Sequence, residues 1–197
     1  MRKGDQTRER IVDLALELAS RDGLAGVSLG QIADRVGMSK SGLFAHFTSK
    51  DELHIEVIRA ASDSFRREVF EPALRAARGE PRLKAIVERW IAWDEDAGRP
   101  GGCPITQLAT ELDDKPGPAR DALVETQQSW MLALTHAVGL AKEEGHLRPD
   151  VDPDLFAFQI HGLFLSFHQS RRLLRDPRAK SRVRAAFKQL LDNSRPR

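Results

Sequence analysis

The chain reads as an all-α protein built from about nine helices, judged by its capping and breaker residues. Apolar residues recur at helical spacing almost throughout, as in Ile11, Leu14, Ala15 and Leu18 and again in Leu29, Ile32, Ala33 and Val36. No short stretch sustains the apolar–polar alternation of a strand, and β-branched residues are thinly spread.

Taken in order, Thr7 is placed to open the first helix, and Gly23 supplies the left-handed residue that closes it. Ser28-Leu29-Gly30-Gln31 has the form of a capping box, in which the Ser oxygen takes an amide and the Gln reaches back. Gly37 ends that short second helix, and Ser39 caps a third of about two turns. Ser49-Lys50-Asp51-Glu52 is a second box. It opens a long helix running toward Gly79 that Pro72 should bend or break. Pro81 sits in the first turn of a fifth helix that ends before Gly98, and Pro104 does the same for a short sixth, to Leu112. Pro116-Gly117-Pro118 stops the chain before a long helix from Ala119 to Glu144. Pro149 to Pro153 separates that from a helix over 154–175, and Asp176-Pro177 introduces the last. The expected division is a small N-terminal module of three helices, residues 1–50, followed by a helical bundle, residues 51–197.

The 197 residues are 41% hydrophobic and 30% charged, which suits a globular chain with a core and disfavours disorder. The densest apolar stretch, Leu163 to Phe167, is interrupted by Ser166 and is far too short to span a bilayer, so no membrane partner is expected. No basic-then-apolar leader opens the sequence, and a cytoplasmic location is expected. A single cysteine excludes an internal disulfide and any cysteine-based metal cluster. The net charge of +2 is a cancellation: residues 51–170 carry 13 basic and 21 acidic groups, whereas residues 171–197 carry 10 and 2. It therefore says nothing against a nucleic-acid partner. The basic end is expected to be a solvated helix face and tail complementing the acidic middle.

Residues 28 to 47 read as helix, tight turn, helix, an arrangement whose second helix can enter the major groove of DNA, about 12 Å wide. That helix is short, and Ser39, Lys40, Ser41 and Gly42 give it a small, polar face able to approach base edges. Leu43 and Phe47, four apart, are expected to point inward, turning Lys40, Ser41, Phe44 and His46 outward. At Ser49-Lys50 a new helix begins with its amide groups and dipole beside a lysine, a natural phosphate site.

The stretch from Thr7 to Leu53 resembles the DNA-binding domain of the TetR family of bacterial transcriptional regulators. The resemblance rests on Arg8-Glu9-Arg10-Ile11, Gly23, Ser28, Ile32-Ala33, Gly37-Met38-Ser39-Lys40, Leu43-Phe44, Phe47 and Ser49-Lys50-Asp51-Glu52-Leu53. Gly102-Cys103-Pro104 with Leu108-Ala109 and Glu111-Leu112 resembles one branch of the family. The resemblance implies a homodimeric, ligand-responsive regulator, a repressor rather than an activator, bound to a palindromic double-stranded DNA operator and released by a small effector, which the Trp and Phe residues of the C-terminal bundle suggest to be apolar or aromatic. The residues it assigns to DNA are Ser28, Gln31, Ser39, Lys40, Ser41, Phe44, His46 and Lys50. The family usually has Tyr where Phe44 stands, and this chain contains no Tyr. A phenol would donate to phosphate, whereas Phe44 offers only van der Waals contact, which shifts backbone anchoring to His46 or Lys50.

Family topology also implies an effector cavity in the C-terminal bundle. Its expected lining draws on Trp90, Trp93, Cys103, Leu108, Gln127, Trp130, Leu134, Ile160, His161 and Phe164. Phe156, Phe167 and His168 belong to the same helical faces, and all these residues suit core or dimer interface as well as pocket. No metal or other cofactor is expected. His161 and His168 are two turns apart, about 10 Å along a helix, too far to share one ion unaided. Cys103 precedes a helix N-terminus, a setting that lowers a thiol pKa, and reads either as a redox or electrophile sensor or as a small packing residue. Asp94-Glu95-Asp96 and Asp113-Asp114 flank breaks at helix ends and are expected to be solvated. With no nucleophile elbow, phosphate-binding loop or nucleotide fingerprint, no enzyme is expected. The alternative is a helical small-molecule-binding protein or enzyme that has lost operator binding. Only Phe44 leans that way.

Overall fold

The computed structural model describes residues 3–99 and 101–196, and every regular element among them is helical. Counting one long interrupted helix once gives nine. Helices α1 (Lys3–Asp22), α2 (Leu29–Val36) and α3 (Lys40–Phe44) are followed by α4 (Lys50–Phe65), which passes without a break through a π-helical turn (Arg66–Phe70) into a last turn (Glu71–Ala73). Then come α5 (Glu80–Glu95), α6 (Pro104–Leu112), α7 (Pro118–Glu143), α8 (Pro153–Arg172) and α9 (Ala179–Asp192). No helix among the described residues is long and apolar enough to cross a membrane.

The departures at Thr7 and Pro72 have local reasons. The first helix is already formed at Lys3, so Thr7 lies inside it and does not cap it. Nothing between Lys3 and Thr7 interrupts helical geometry. Pro72 does not break the fourth helix. Its ring would collide with the Glu68 carbonyl in a regular α-turn, and it has no N–H to offer that oxygen. The turn before it widens instead, and the Glu71 N–H bonds back to the Arg66 carbonyl, five residues earlier. Arg66 and Glu71 span the same widened turn as an ion pair.

The described chain forms two compact units. The first contains residues 1–64 and 96–126; the second contains 65–95 and 127–197. The first unit closes over Ile11, Ala15, Leu18, Ile32, Leu43, Phe47, Leu53 and Leu108, all buried. Each large side chain removed from water in this way contributes about 1.5–3 kcal/mol.

The core of the second unit is aromatic. Trp90 stacks on Phe164 with ring centres 4.2 Å apart and planes 12° from parallel, and Phe167 meets the same indole edge-on at 5.8 Å. A charged seam joins α5 to α8, α9 and the residues that follow. Arg195 pairs with Glu80, Arg184 with Glu88 and Lys180 with Glu95. Asp94 was expected to be solvated, yet it is 0% exposed. It lies on the inward face of α5, where His168 Nδ1 sits 2.6 Å from one carboxylate oxygen and Arg171 Nε donates to the other at 2.8 Å. A buried carboxylate without such partners would be strongly destabilising. Four basic residues of the C-terminal stretch, Arg171, Lys180, Arg184 and Arg195, are thus paired with acidic residues of α5, while Arg178, Arg182 and Lys188 pair with Asp176 and Asp192.

Candidate nucleic-acid interface

The segment from α2 to α3 is fixed by local capping. Ser28 is extended (φ −94°, ψ 128°) and its hydroxyl accepts the Gln31 N–H at 3.4 Å, the first half of the expected box. Gly37 takes the left-handed conformation (φ 77°, ψ 38°) and ends α2, with the Met38 N–H returning to the Ala33 carbonyl at 2.9 Å. Ser39 opens α3 by accepting the Gly42 N–H at 3.1 Å, and its hydroxyl lies 3.0 Å from that of Ser41. At only five residues, α3 is shorter than the two turns expected. Such a helix is not stable alone; the burial of Leu43 and Phe47 holds it.

This packing leaves Ser28, Gln31, Ser39, Lys40, Ser41, Phe44 and Lys50 exposed and His46 half-buried. Phe44 is 50% exposed, a large aromatic face turned to solvent beside Lys40 and Ser41. The stem of Lys40 crosses Gly30 so closely that a Cβ there would lie 3.2 Å from Lys40 Cε. Lys50 begins α4, whose first turn also holds Asp51 and Glu52. The Ser49 hydroxyl accepts the Glu52 N–H at 3.0 Å, whereas the Glu52 carboxylate reaches back one residue further than the standard box. It accepts the Thr48 N–H at 2.6 Å and the Thr48 hydroxyl at 2.7 Å.

Behind α3 stands a residue given no functional role from the sequence. The guanidinium of Arg8 lies over the Phe47 ring, 4.4 Å from its centroid, and donates to Glu52 Oε1 at 2.9 Å and to the His46 carbonyl. Arg8 therefore ties α1 to both ends of the segment between α3 and α4. The Thr48 hydroxyl and N–H, together with Arg8, hold the Glu52 carboxyl down to about 2, so it is ionised at neutral pH. Arg8 was conspicuous in the matching motif, but its partners lie 38 and 44 residues away, beyond any local pattern.

The residues expected at an effector site fall into both units. Cys103 and Leu108 belong to the first unit, where both are buried and Cys103 precedes α6. Trp90, Trp93, Gln127, Trp130, Leu134, Ile160, His161 and Phe164 belong to the second. Trp90, Trp93, Leu134, Ile160 and Phe164 are buried there, while Gln127, Trp130 and His161 are half-buried. Phe65 joins this aromatic cluster edge-on, 5.7 Å from Trp93 and 5.0 Å from Trp130, and Phe70 meets Trp130 at 6.2 Å. Helical periodicity missed these two, because residues five apart in an α-helix point about 140° away from each other. The π-turn between them brings both onto Trp130. His161 Nδ1 is buried without a hydrogen-bond partner, and burial lowers that imidazole's pKa. Among the described residues, no three His, Cys, Asp or Glu side chains gather as metal ligands, and His168 is engaged by Asp94.

On the opposite side of α7 and α8, Leu132, Leu155, Phe158 and Leu165 are exposed. Leu132, Leu155 and Phe158 line an open groove with Gln128, Met131, Thr135 and Asp154.

Comparison with known proteins places these features among relatives. Residues 11–57 match the tetR family of bacterial regulatory proteins, and residues 79–187 match the tetracyclin repressor-like C-terminal domain. The HTH-type transcriptional regulator LmrA of Bacillus subtilis is 29% identical over 134 residues, covering 66% of this chain and 69% of LmrA. The HTH-type transcriptional regulator AcrR of Shigella flexneri is 36% identical over 55 residues, 28% of this chain. That match spans only 26% of AcrR's length. The crystal structure of a TetR transcriptional regulator from Chloroflexus aurantiacus superposes with a TM-score of 0.85 at 28% identity, covering 98% of this chain and 96% of that one.

Proposed function

From the premise that the chain belongs to the TetR family, whose members are DNA-binding transcriptional regulators and not enzymes, we propose a ligand-responsive repressor that binds a palindromic operator as a homodimer in the cytoplasm. Residues 1–50 read DNA and residues 51–197 bind the effector and dimerise. The carrying observation is the exposed face of α3 and the start of α4. Ser39, Lys40, Ser41 and Phe44 approach the base edges, while Lys50 and His46 contact phosphate, with Ser28 and Gln31 at the flanking backbone.

The dimer uses the exposed apolar faces of α7 and α8. Two copies related by a two-fold axis would present the same α3 to each half-site, so the operator is palindromic. The effector is small and apolar or aromatic, received within the second unit among Trp90, Trp93, Trp130, Leu134, Ile160 and Phe164, with Gln127 and His161 as polar contacts. It acts by favouring a conformation whose two recognition helices no longer match successive major grooves.

The test begins with selection of a duplex from a random-sequence library by the full chain, followed by a mobility-shift titration. Palindromic half-sites and a shift by dimer support the reading; failure to enrich any duplex overturns it. A compound that changes tryptophan fluorescence and weakens binding to the selected duplex is an effector. The duplex must then weaken that compound's binding by the same factor.

A further inference from the structure

Helix α6 lies far along the sequence from the recognition helix, yet one of its side chains grips the turn that leads into the reading head. Glu111 Oε2 accepts the Leu24 N–H at 2.6 Å, and Glu111 Oε1 accepts the Ala25 N–H at 2.8 Å. These are the amides immediately beyond Gly23, the left-handed residue (φ 73°) that ends α1. The approach is close: a Cβ at Gly23 would stand 2.5 Å from Glu111 Oε2. Two residues before Cys103, Gly101 sits against the Ser20 carbonyl so tightly that a Cβ would collide with it. The segment leading into α6 and α6 itself therefore hold both the end of α1 and the turn that follows. That turn runs directly to Ser28, the cap of α2. Lys115 Nζ lies 3.8 Å from Glu111 Oε1.

We infer that Glu111 is a positioning residue for DNA reading: its carboxylate sets the α1–α2 turn, and through it the placement of α2 and α3 on the duplex. A carboxylate suits the task because two convergent N–H donors need two acceptor oxygens, and a charged acceptor makes both bonds stronger. The inference rests on the DNA-binding reading, and it adds a residue outside the helix-turn-helix that touches neither base nor phosphate.

The test uses the duplex selected by the parent chain and two variants, Glu111→Ala and Glu111→Gln. Stoichiometric titration gives the active fraction, and dilute titration gives the Kd of that fraction. Glu111→Ala is expected to raise the Kd for the selected duplex by about tenfold, the worth of a charge-assisted hydrogen bond. Discrimination against mixed-sequence duplex falls with it, while the dependence of log K on log salt stays unchanged because no phosphate contact is lost. Glu111→Gln keeps one acceptor oxygen and gives an intermediate Kd. A lowered active fraction with parental Kd in both variants means Glu111 only stabilises the fold, and overturns the inference. An unchanged Kd at full activity overturns it too. Should the parent chain select no duplex, the DNA-binding reading itself has failed.

Discussion

The Arg8 guanidinium rests 4.4 Å from the centroid of the Phe47 ring while donating to Glu52 at 2.9 Å, so one cation braces both the buried aromatic behind α3 and the first turn of α4. The cation–π contact and the partly exposed ion pair are each modest contributions. Arg8→Ala is therefore expected to lower the urea midpoint by a correspondingly small amount in far-UV circular dichroism. Arg8→Lys should recover only part, because an ammonium cannot stack on the ring and donate to the carboxylate and the His46 carbonyl in the same way. Equal stability of Arg8→Ala and parent would show that the brace contributes nothing.

Lys50→Ala is expected to weaken binding to selected and mixed-sequence duplexes by the same factor. The slope of log K against log salt should fall by about 0.9, one phosphate contact. Binding titrations at several salt concentrations check this, and an unchanged slope removes Lys50 from the interface.

Phe44→Tyr tests the departure from the usual family residue. The side chain is half-exposed, so a phenol can be added without disturbing the core. A hydrogen bond from that phenol to a phosphate should tighten duplex binding by about tenfold. Parental affinity in the variant would place Phe44 away from the backbone.

Leu132 is 71% exposed and Phe158 67% exposed on adjoining faces of α7 and α8, an expensive arrangement for a monomer in water. Phe158→Asp is expected to convert dimer to monomer in analytical ultracentrifugation and to abolish cooperative occupation of two half-sites. A variant that sediments with the parent mass sends the dimer interface elsewhere.

Glu52 supplies a pH test with a definite sign. Its carboxyl is held at about 2 against an ordinary 4.5, chiefly by the Thr48 hydroxyl and N–H and then by Arg8. A lowered folded-state pKa means the contribution is complete above pH 4.5 and is lost as pH falls toward 2. Glu52→Gln should thus be less stable than the parent at neutral pH, with the gap closing over that interval. Glu80 is held at about 2 by Arg195 and Lys84 and titrates in both proteins, so the difference between their urea midpoints isolates Glu52. A constant gap from pH 7 to 2 would show that ionisation of Glu52 is not what matters.

The helical class, the stops at Gly23 and Gly37 and the caps at Ser28, Ser39 and Ser49 were legible without coordinates. Each depends on groups within about four residues of one another. The inward pair Leu43 and Phe47 and the outward Lys40, Ser41 and Phe44 followed from the helical period for the same reason. The π-turn before Pro72 was not legible, because a proline inside a helical pattern signals disruption without saying how the chain absorbs it. Phe65 and Phe70 stayed hidden with it, since their common face exists only once that turn has widened.

By itself, then, the sequence determined the helical class, the caps and stops of the first helices, and the motif that marks the family. Tertiary structure alone decided which charges are structural. Asp94 looked solvated beside Glu95 and Asp96 until Arg171 and His168, more than 70 residues onward, were brought against it. Glu111 stood in the sequence only among the residues that resemble one branch of the family, and its grip on the amides of Leu24 and Ala25, 87 and 86 residues earlier, appears only in the fold. The physical reason is range. A cap or an amphipathic stripe is settled by backbone geometry over a turn or two. The fate of a charge depends instead on desolvation and on partners that only the folded chain brings within hydrogen-bonding distance.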